Sequence, residues 1–157
     1  MPAKWLTESE AFQYLAAKTD GRLATCDADG QPYIVPLNYI FHRGNIYFHC
    51  ATKGRKLDNI MINDRVCFEV SQTDKTVFNE KPCGCATRYT SVIVSGKARV
   101  VTDDEEKMAA LNALTDRFAA GRPYTPVDAA MARGCVVVAV SVAAISGKRN
   151  VDPETAG

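Results

Sequence analysis

Two kinds of hydrophobic pattern run along the chain, and the changes between them mark its elements. Phe12, Leu15 and Ala16 fall at i, i+3 and i+4, the spacing of one helical face. Thr7-Glu8-Ser9-Glu10 ahead of them has the form of a capping box, with Thr7 as N-cap and Glu10 reaching back. Asp20-Gly21 stops this helix. Strand-like runs follow at 22–27, 31–41 and 46–50, divided by the hairpin signal Asp29-Gly30 and by Arg43-Gly44-Asn45. They predict a three-stranded antiparallel meander.

Residues 52–63 return to helical spacing, with Leu57, Ile60 and Met61 on one face, and Val66, Phe68 and Val70 restore strand character over 65–71. The polar, turn-rich stretch 72–87 reads as a long loop, the kind that often carries function. Residues 88–101 form a long strand bent at Gly96. A second capping box, Thr102-Asp103-Asp104-Glu105, opens a helix through Met108, Leu111, Leu114 and Phe118. A break at 121–126, a short helical piece at 128–132 and a valine-rich strand over 135–145 complete the pattern, ahead of a polar tail from Gly147. No repeat, linker or low-complexity segment interrupts it. Six strands with peripheral helices predict a mostly β, antiparallel barrel, in one domain spanning 1–157.

Charge narrows the function classes. With 19 Lys and Arg against 18 Asp and Glu, the net charge is +1, far from the broad basic field of a nucleic-acid binder. No apolar run reaches the roughly 18 residues of a membrane span, and the N-terminus lacks a signal-peptide core. A cytoplasmic protein is the expectation. Most of its six cysteines then read as free thiols rather than a disulfide framework.

One segment stands out chemically. In Phe48-His49-Cys50-Ala51-Thr52-Lys53-Gly54-Arg55-Lys56-Leu57 a strand ends and a helix begins where three cations and a glycine cluster. A helix start carries unpaired N–H groups and partial positive charge, so Lys53, Arg55 and Lys56 oppose the helix dipole unless an anion neutralises them. Phosphate suits such a site: Arg offers a planar fork, Lys a point charge, and Gly a close backbone approach. The glycine spacing differs from a Walker loop. The residues alone leave two readings, a phosphate grip or a solvated basic turn.

The order of motifs around this turn adds to that reading. GRLAT, DGQPYIVPLNYIF, IYFHCATKGRKLDNI, DRVCFEV and RYTSVIVSGKARV follow one another between Gly21 and Val101. Together they resemble the FMN-binding split-barrel family that includes pyridoxamine 5′-phosphate oxidase, and most of all its nitroimidazole-resistance branch. The resemblance implies a six-stranded split β-barrel that binds FMN at a homodimer interface. It implies that Arg55 and Lys56 hold the FMN phosphate, and that His49 and Cys50 lie beside the ribityl chain. Pro36, Leu37, Asn38 and Tyr39 would border the flavin ring through their backbone, and Ser91 would hydrogen-bond the flavin from another strand. Two departures argue against pyridoxamine phosphate oxidation: the tail GKRNVDPETAG does not match the oxidase's arginine-bearing segment, and His49-Cys50 replace its usual tyrosine and threonine.

The expected function is an FMN-dependent oxidoreductase that reduces small electrophiles, nitro compounds among them, with a nicotinamide donor. The alternatives are a flavin- or haem-binding module without turnover, and a thiol–metal sensor at Cys83-Gly84-Cys85. His49 is the candidate proton donor, because imidazole titrates near neutral pH. Cys83 and Cys85 read as ordinary loop thiols, since a structural zinc needs four ligands, so no metal site is expected. His42 reads as exposed in a hairpin turn, and Trp5, Phe12 and Tyr14 as core or dimer packing.

Overall fold

The computed structural model describes residues 3–152, and every strand among them joins one antiparallel sheet. The strands are β1 (Lys4–Trp5), β2 (Asp20–Cys26), β3 (Pro32–Asn38), β4 (Ile40–His42), β5 (Asn45–Cys50), β6 (Arg65–Val77), β7 (Ala86–Val100) and β8 (Val136–Asn150). Their order is β3-β2-β6-β7-β8-β5-β4, with β1 paired to β8. β3 and β4 therefore end the order on opposite sides, yet only Tyr39 separates them in sequence. The sheet must curl to bring its two edge strands to the Tyr39 corner without pairing them, which makes the predicted split barrel.

Tyr39 fixes that corner. Its side chain is fully buried, its hydroxyl donates to the Leu15 carbonyl at 2.5 Å, and its ring meets Phe68 edge-on at 4.8 Å. Burial also pushes its phenol well above the ordinary range, so it stays neutral. Alternation along the strands supplies the rest of the core: Leu23 from β2, Val66, Phe68 and Val70 from β6, Val92 and Val94 from β7. At Gly96 the β7–β8 register shifts, and a side chain there would collide with the Ser141 carbonyl, so the predicted bend has a steric cause.

Four helices flank the sheet: α1 (Glu8–Ala17), α2 (Arg55–Ile62), α3 (Asp104–Ala119) and α4 (Ala129–Arg133). Thr7 and Glu10 form the predicted box, with each backbone N–H bonded to the other's side chain. The α3 cap is Asp103 rather than Thr102, because the Asp103 carboxylate accepts the Glu106 N–H at 2.7 Å.

The structure departs from the sequence expectations at further points. Eight strands replace six, partly because Tyr39 breaks the 31–41 run in two and partly because β1 was too short to detect. Only the middle of 72–87 is loop: β6 runs on through Val77 and β7 starts at Ala86, with Gln72 paired to Thr90 and Val77 to Ala86, and a 3-10 turn at Pro82–Gly84 lies in the tip between them. This arm is exposed on both sides at its outer end, so it lacks the alternation that betrays a half-buried strand. Residues 147–150, the start of the expected polar tail, belong to β8, and the tail's last residues lie outside the described ones. Phe12 and Tyr14 pack on the core as expected, whereas Trp5 is 72% exposed under the Lys148 ammonium, which leaves only dimer packing of its two expected roles. His42 is half-buried, with its ring tilted against Tyr47.

Candidate functional site

Helix α2 begins where the sequence placed its cations. Strand β5 ends at Cys50, residues 51–54 turn, and Gly54 at φ +145° leads into Arg55. That conformation favours glycine, and no side chain caps the helix. The Gly54 carbonyl accepts the N–H groups of Leu57 and Asp58 at 2.8 and 3.2 Å. The N–H groups of Arg55 and Lys56, too early for an intrahelical acceptor, have no backbone partner among the described residues. Asp58 is the one acid in this first turn.

Three cations share the turn in different states. Lys53 is exposed and Lys56 half-buried, and neither has an ion-pair partner among the described residues. Arg55 donates to the Asp27 carboxylate at 3.2 Å, and its guanidinium lies over the Tyr33 ring, 4.8 Å from the centroid. Cys50 is buried, which pushes its thiol up, and the nearby Lys56 ammonium only partly offsets this. His49, between buried Phe48 and Cys50, projects to the exposed side of β5.

Asn59 explains how α2 is held. It is buried at 2% exposure and donates to Thr25 Oγ1 at 2.9 Å; that hydroxyl donates in turn toward the Tyr33 carbonyl at 3.4 Å. Asn59 stands one turn from Arg55, so this helical face docks on the β2–β3 hairpin twice, at Thr25 and at Asp27 with Tyr33. Met61, expected on the inner face, is 76% exposed instead. By leaving β5 and docking on β2, α2 spans the open side of the curled sheet.

The remaining candidates divide by place. Pro36, Leu37 and Asn38 belong to β3, an edge strand paired only with β2, so its other edge offers unpaired backbone groups. That edge runs from Tyr33, beside Arg55, to the corner at Tyr39. Only the backbone of Tyr39 is available there, its side chain being enclosed. Ser91 lies on β7, with β2 and β6 between it and β3, so the structure does not bring it to this edge within one chain.

Sequence reasoning missed Asp27, Tyr33, Thr25 and Asn59. Asp27 had a local signal, since its carboxylate accepts the N–H groups of Asp29 and Gln31 in the Asp29-Gly30 turn. Asn59 had none; it reads as a surface polar residue. At the arm tip, Cys85 shares hydrogen bonds with Asn79, and all six cysteines are unbridged. Among the described residues no three His, Cys, Asp or Glu side chains converge as metal ligands, and no helix is long and apolar enough to cross a membrane.

Known proteins share this architecture. A 5-nitroimidazole antibiotic resistance structure from Bacteroides thetaiotaomicron, so assigned, superposes with a TM-score of 0.78 at 23% identity, covering 94% of this chain and 89% of its own. A FAD and heme binding protein from Mycobacterium smegmatis gives 0.84 at 22% identity, covering 95% and 74%. In sequence, a 5a,11a-dehydrotetracycline/5a,11a-dehydrooxytetracycline reductase from Streptomyces rimosus is 34% identical over 92 residues, 56% of this chain and 59% of the reductase. An uncharacterised Rhizobium meliloti protein is 34% identical over 67 residues, 43% of each chain. The matched segments thus span under two thirds of both sequence relatives. The pyridoxamine 5′-phosphate oxidase family model matches residues 7–149, nearly the whole described chain, and the protein belongs to that family.

Proposed function

We propose that the chain binds FMN and acts as an FMN-dependent oxidoreductase toward small electrophiles, nitro compounds included, with a nicotinamide electron donor. The α2 start carries this reading: an uncapped helix with open N–H groups, a side-chain-free Gly54 and the unpaired Lys53 and Lys56 calls for a phosphate. The residues present fit that group. Arg55, Lys56 and Lys53 would hold the phosphate, with His49 and Cys50 beside it. Pro36, Leu37, Asn38 and Tyr39 would offer backbone groups along the free edge of β3. From Asp27 to Asp20 this region measures roughly 20 Å along β2, which suits an elongated ligand with phosphate at one end better than a compact anion. The bound flavin would supply the electron transfer. His49 is exposed at the end of β5, where its imidazole can pass a proton to a substrate under reduction. The similarity to a named reductase supports reduction as the reaction type.

A homodimer belongs to the same proposal. The outward face of β3 and β7 leaves Ile34 62% and Ile93 46% exposed, apolar area that a second copy would cover. Ser91 shares that outward face with Ile93, so it would serve the flavin from the other subunit. Ile34→Asp should then yield a monomer in analytical ultracentrifugation.

The deciding experiment is an absorbance spectrum of the purified protein, then bleaching by NADH or NADPH and reoxidation by a nitroaromatic. A colourless protein that takes up no added FMN would refute the reading. A yellow protein that no donor bleaches would leave a flavin-binding module without turnover.

A further inference from the structure

We infer that Asp27 and Tyr33 are positioning residues that hold the Arg55 guanidinium in its phosphate-binding orientation, an inference that rests on the proposed FMN site. Arg55 has five N–H donors in one plane. Asp27 engages one terminal nitrogen at 3.2 Å, and the guanidinium carbon lies over the Tyr33 ring, 4.8 Å from its centroid. A single-point ion pair and a ring contact leave the other donors open. The arrangement therefore fixes where the fork points without using it up.

Three observations separate this from ordinary surface pairing. Asp27 is itself rigid, because Oδ1 accepts the turn N–H groups of Asp29 and Gln31 while Oδ2 meets Arg55. Tyr33 is anchored through its backbone to Thr25, whose hydroxyl also receives the buried Asn59 amide of α2. The Arg55 and Asp27 side chains are 49% and 30% exposed, a setting in which an ion pair adds little to folding. What the pair does supply is order: a long arginine that would otherwise sample many rotamers is held at the helix start. Lys53 and Lys56, without such partners, act by charge alone.

The test compares FMN with riboflavin, which lacks the phosphate, by fluorescence titration. Asp27→Asn retains an oxygen for the turn amides and removes the charge facing Arg55. It should weaken FMN binding about fivefold, leave riboflavin unchanged, and have under about a twofold effect in an Arg55→Ala background. Tyr33→Ala should act likewise, and Tyr33→Phe should restore wild-type affinity because the ring is kept. The inference is overturned if Asp27→Asn binds FMN as tightly as wild type or more tightly, which would make the carboxylate a competitor. It is equally overturned if FMN and riboflavin weaken together, which would make Asp27 merely structural. If Arg55→Ala alone leaves the preference for FMN over riboflavin intact, the phosphate assignment itself is wrong and the inference falls with it.

Discussion

Two helix starts on this sheet solve the same electrostatic problem in opposite ways. At α3, Asp103 caps the helix through the Glu106 N–H, and Asp104, Glu105 and Glu106 fill the first turn. Those carboxylates match the positive end of the dipole. The nearby cation, Arg99, is matched too, donating to Glu106 at 2.6 Å while Tyr47 donates to the same carboxylate oxygen at 2.8 Å. At α2 the cap is a glycine, the first turn opens with Arg55 and Lys56, and two lysines stand unpaired. One start is complete within the chain. The other is left open within the chain, and under the proposed function an external phosphate would complete it.

The strongest way to break the comparison is at α2. Arg55→Ala with Lys56→Ala should weaken FMN binding about 100-fold or more, since hydrogen bonds to charged groups are worth about 1.5–3 kcal/mol each, and fluorescence titration would show it. An unchanged affinity would reduce α2 to a solvated basic turn. Next in size is Asn59→Ala, which leaves the Thr25 hydroxyl without its buried partner. A loss of about 1–3 kcal/mol is expected in urea unfolding, with flavin affinity falling as α2 loosens.

Removing the Asp103 cap should have a smaller and purely structural effect. Asp103→Ala is expected to lower stability by about 1 kcal/mol and leave FMN affinity unchanged. A change in affinity would mean that the two starts are coupled.

The finest test uses pH. The Arg99 guanidinium beside Glu106, helped by the Tyr47 hydroxyl, holds its carboxyl below the usual carboxylate range. A group with a depressed folded pKa binds fewer protons when folded, so its stabilisation is present above the unfolded value near 4.3 and is lost as pH falls through the folded one. Glu106→Gln should therefore lower the urea midpoint at pH 7 slightly and flatten the decline in acid. An identical acid limb in the variant would show that the pair contributes nothing.

Much of the α2 site was legible because its signal is local. Gly54, Arg55 and Lys56 at a change from strand to helix period mark a cationic helix start wherever they fold, and Thr7 with Glu10 identify a cap for the same reason. The exposed β6–β7 arm was missed because strand reading depends on one buried face, and its tip has none. The α2 inner face was misjudged at Met61 because a buried Asn59 breaks the apolar pattern that was followed.

The sequence by itself determined the helices, the strands with one buried face, the even charge balance and the cationic helix start, all properties of neighbouring residues. Only the tertiary structure decided what those cations meet. Asp27 lies 28 residues from Arg55 and Thr25 lies 34 from Asn59, and only the pairing of β2 with β3 and the docking of α2 bring them together. The same holds for Tyr39, an ordinary tyrosine in sequence, which becomes the barrel corner because β3 and β4 end the strand order on opposite sides. Contacts of this kind depend on how the sheet curls, and no stretch of neighbouring residues encodes that curl.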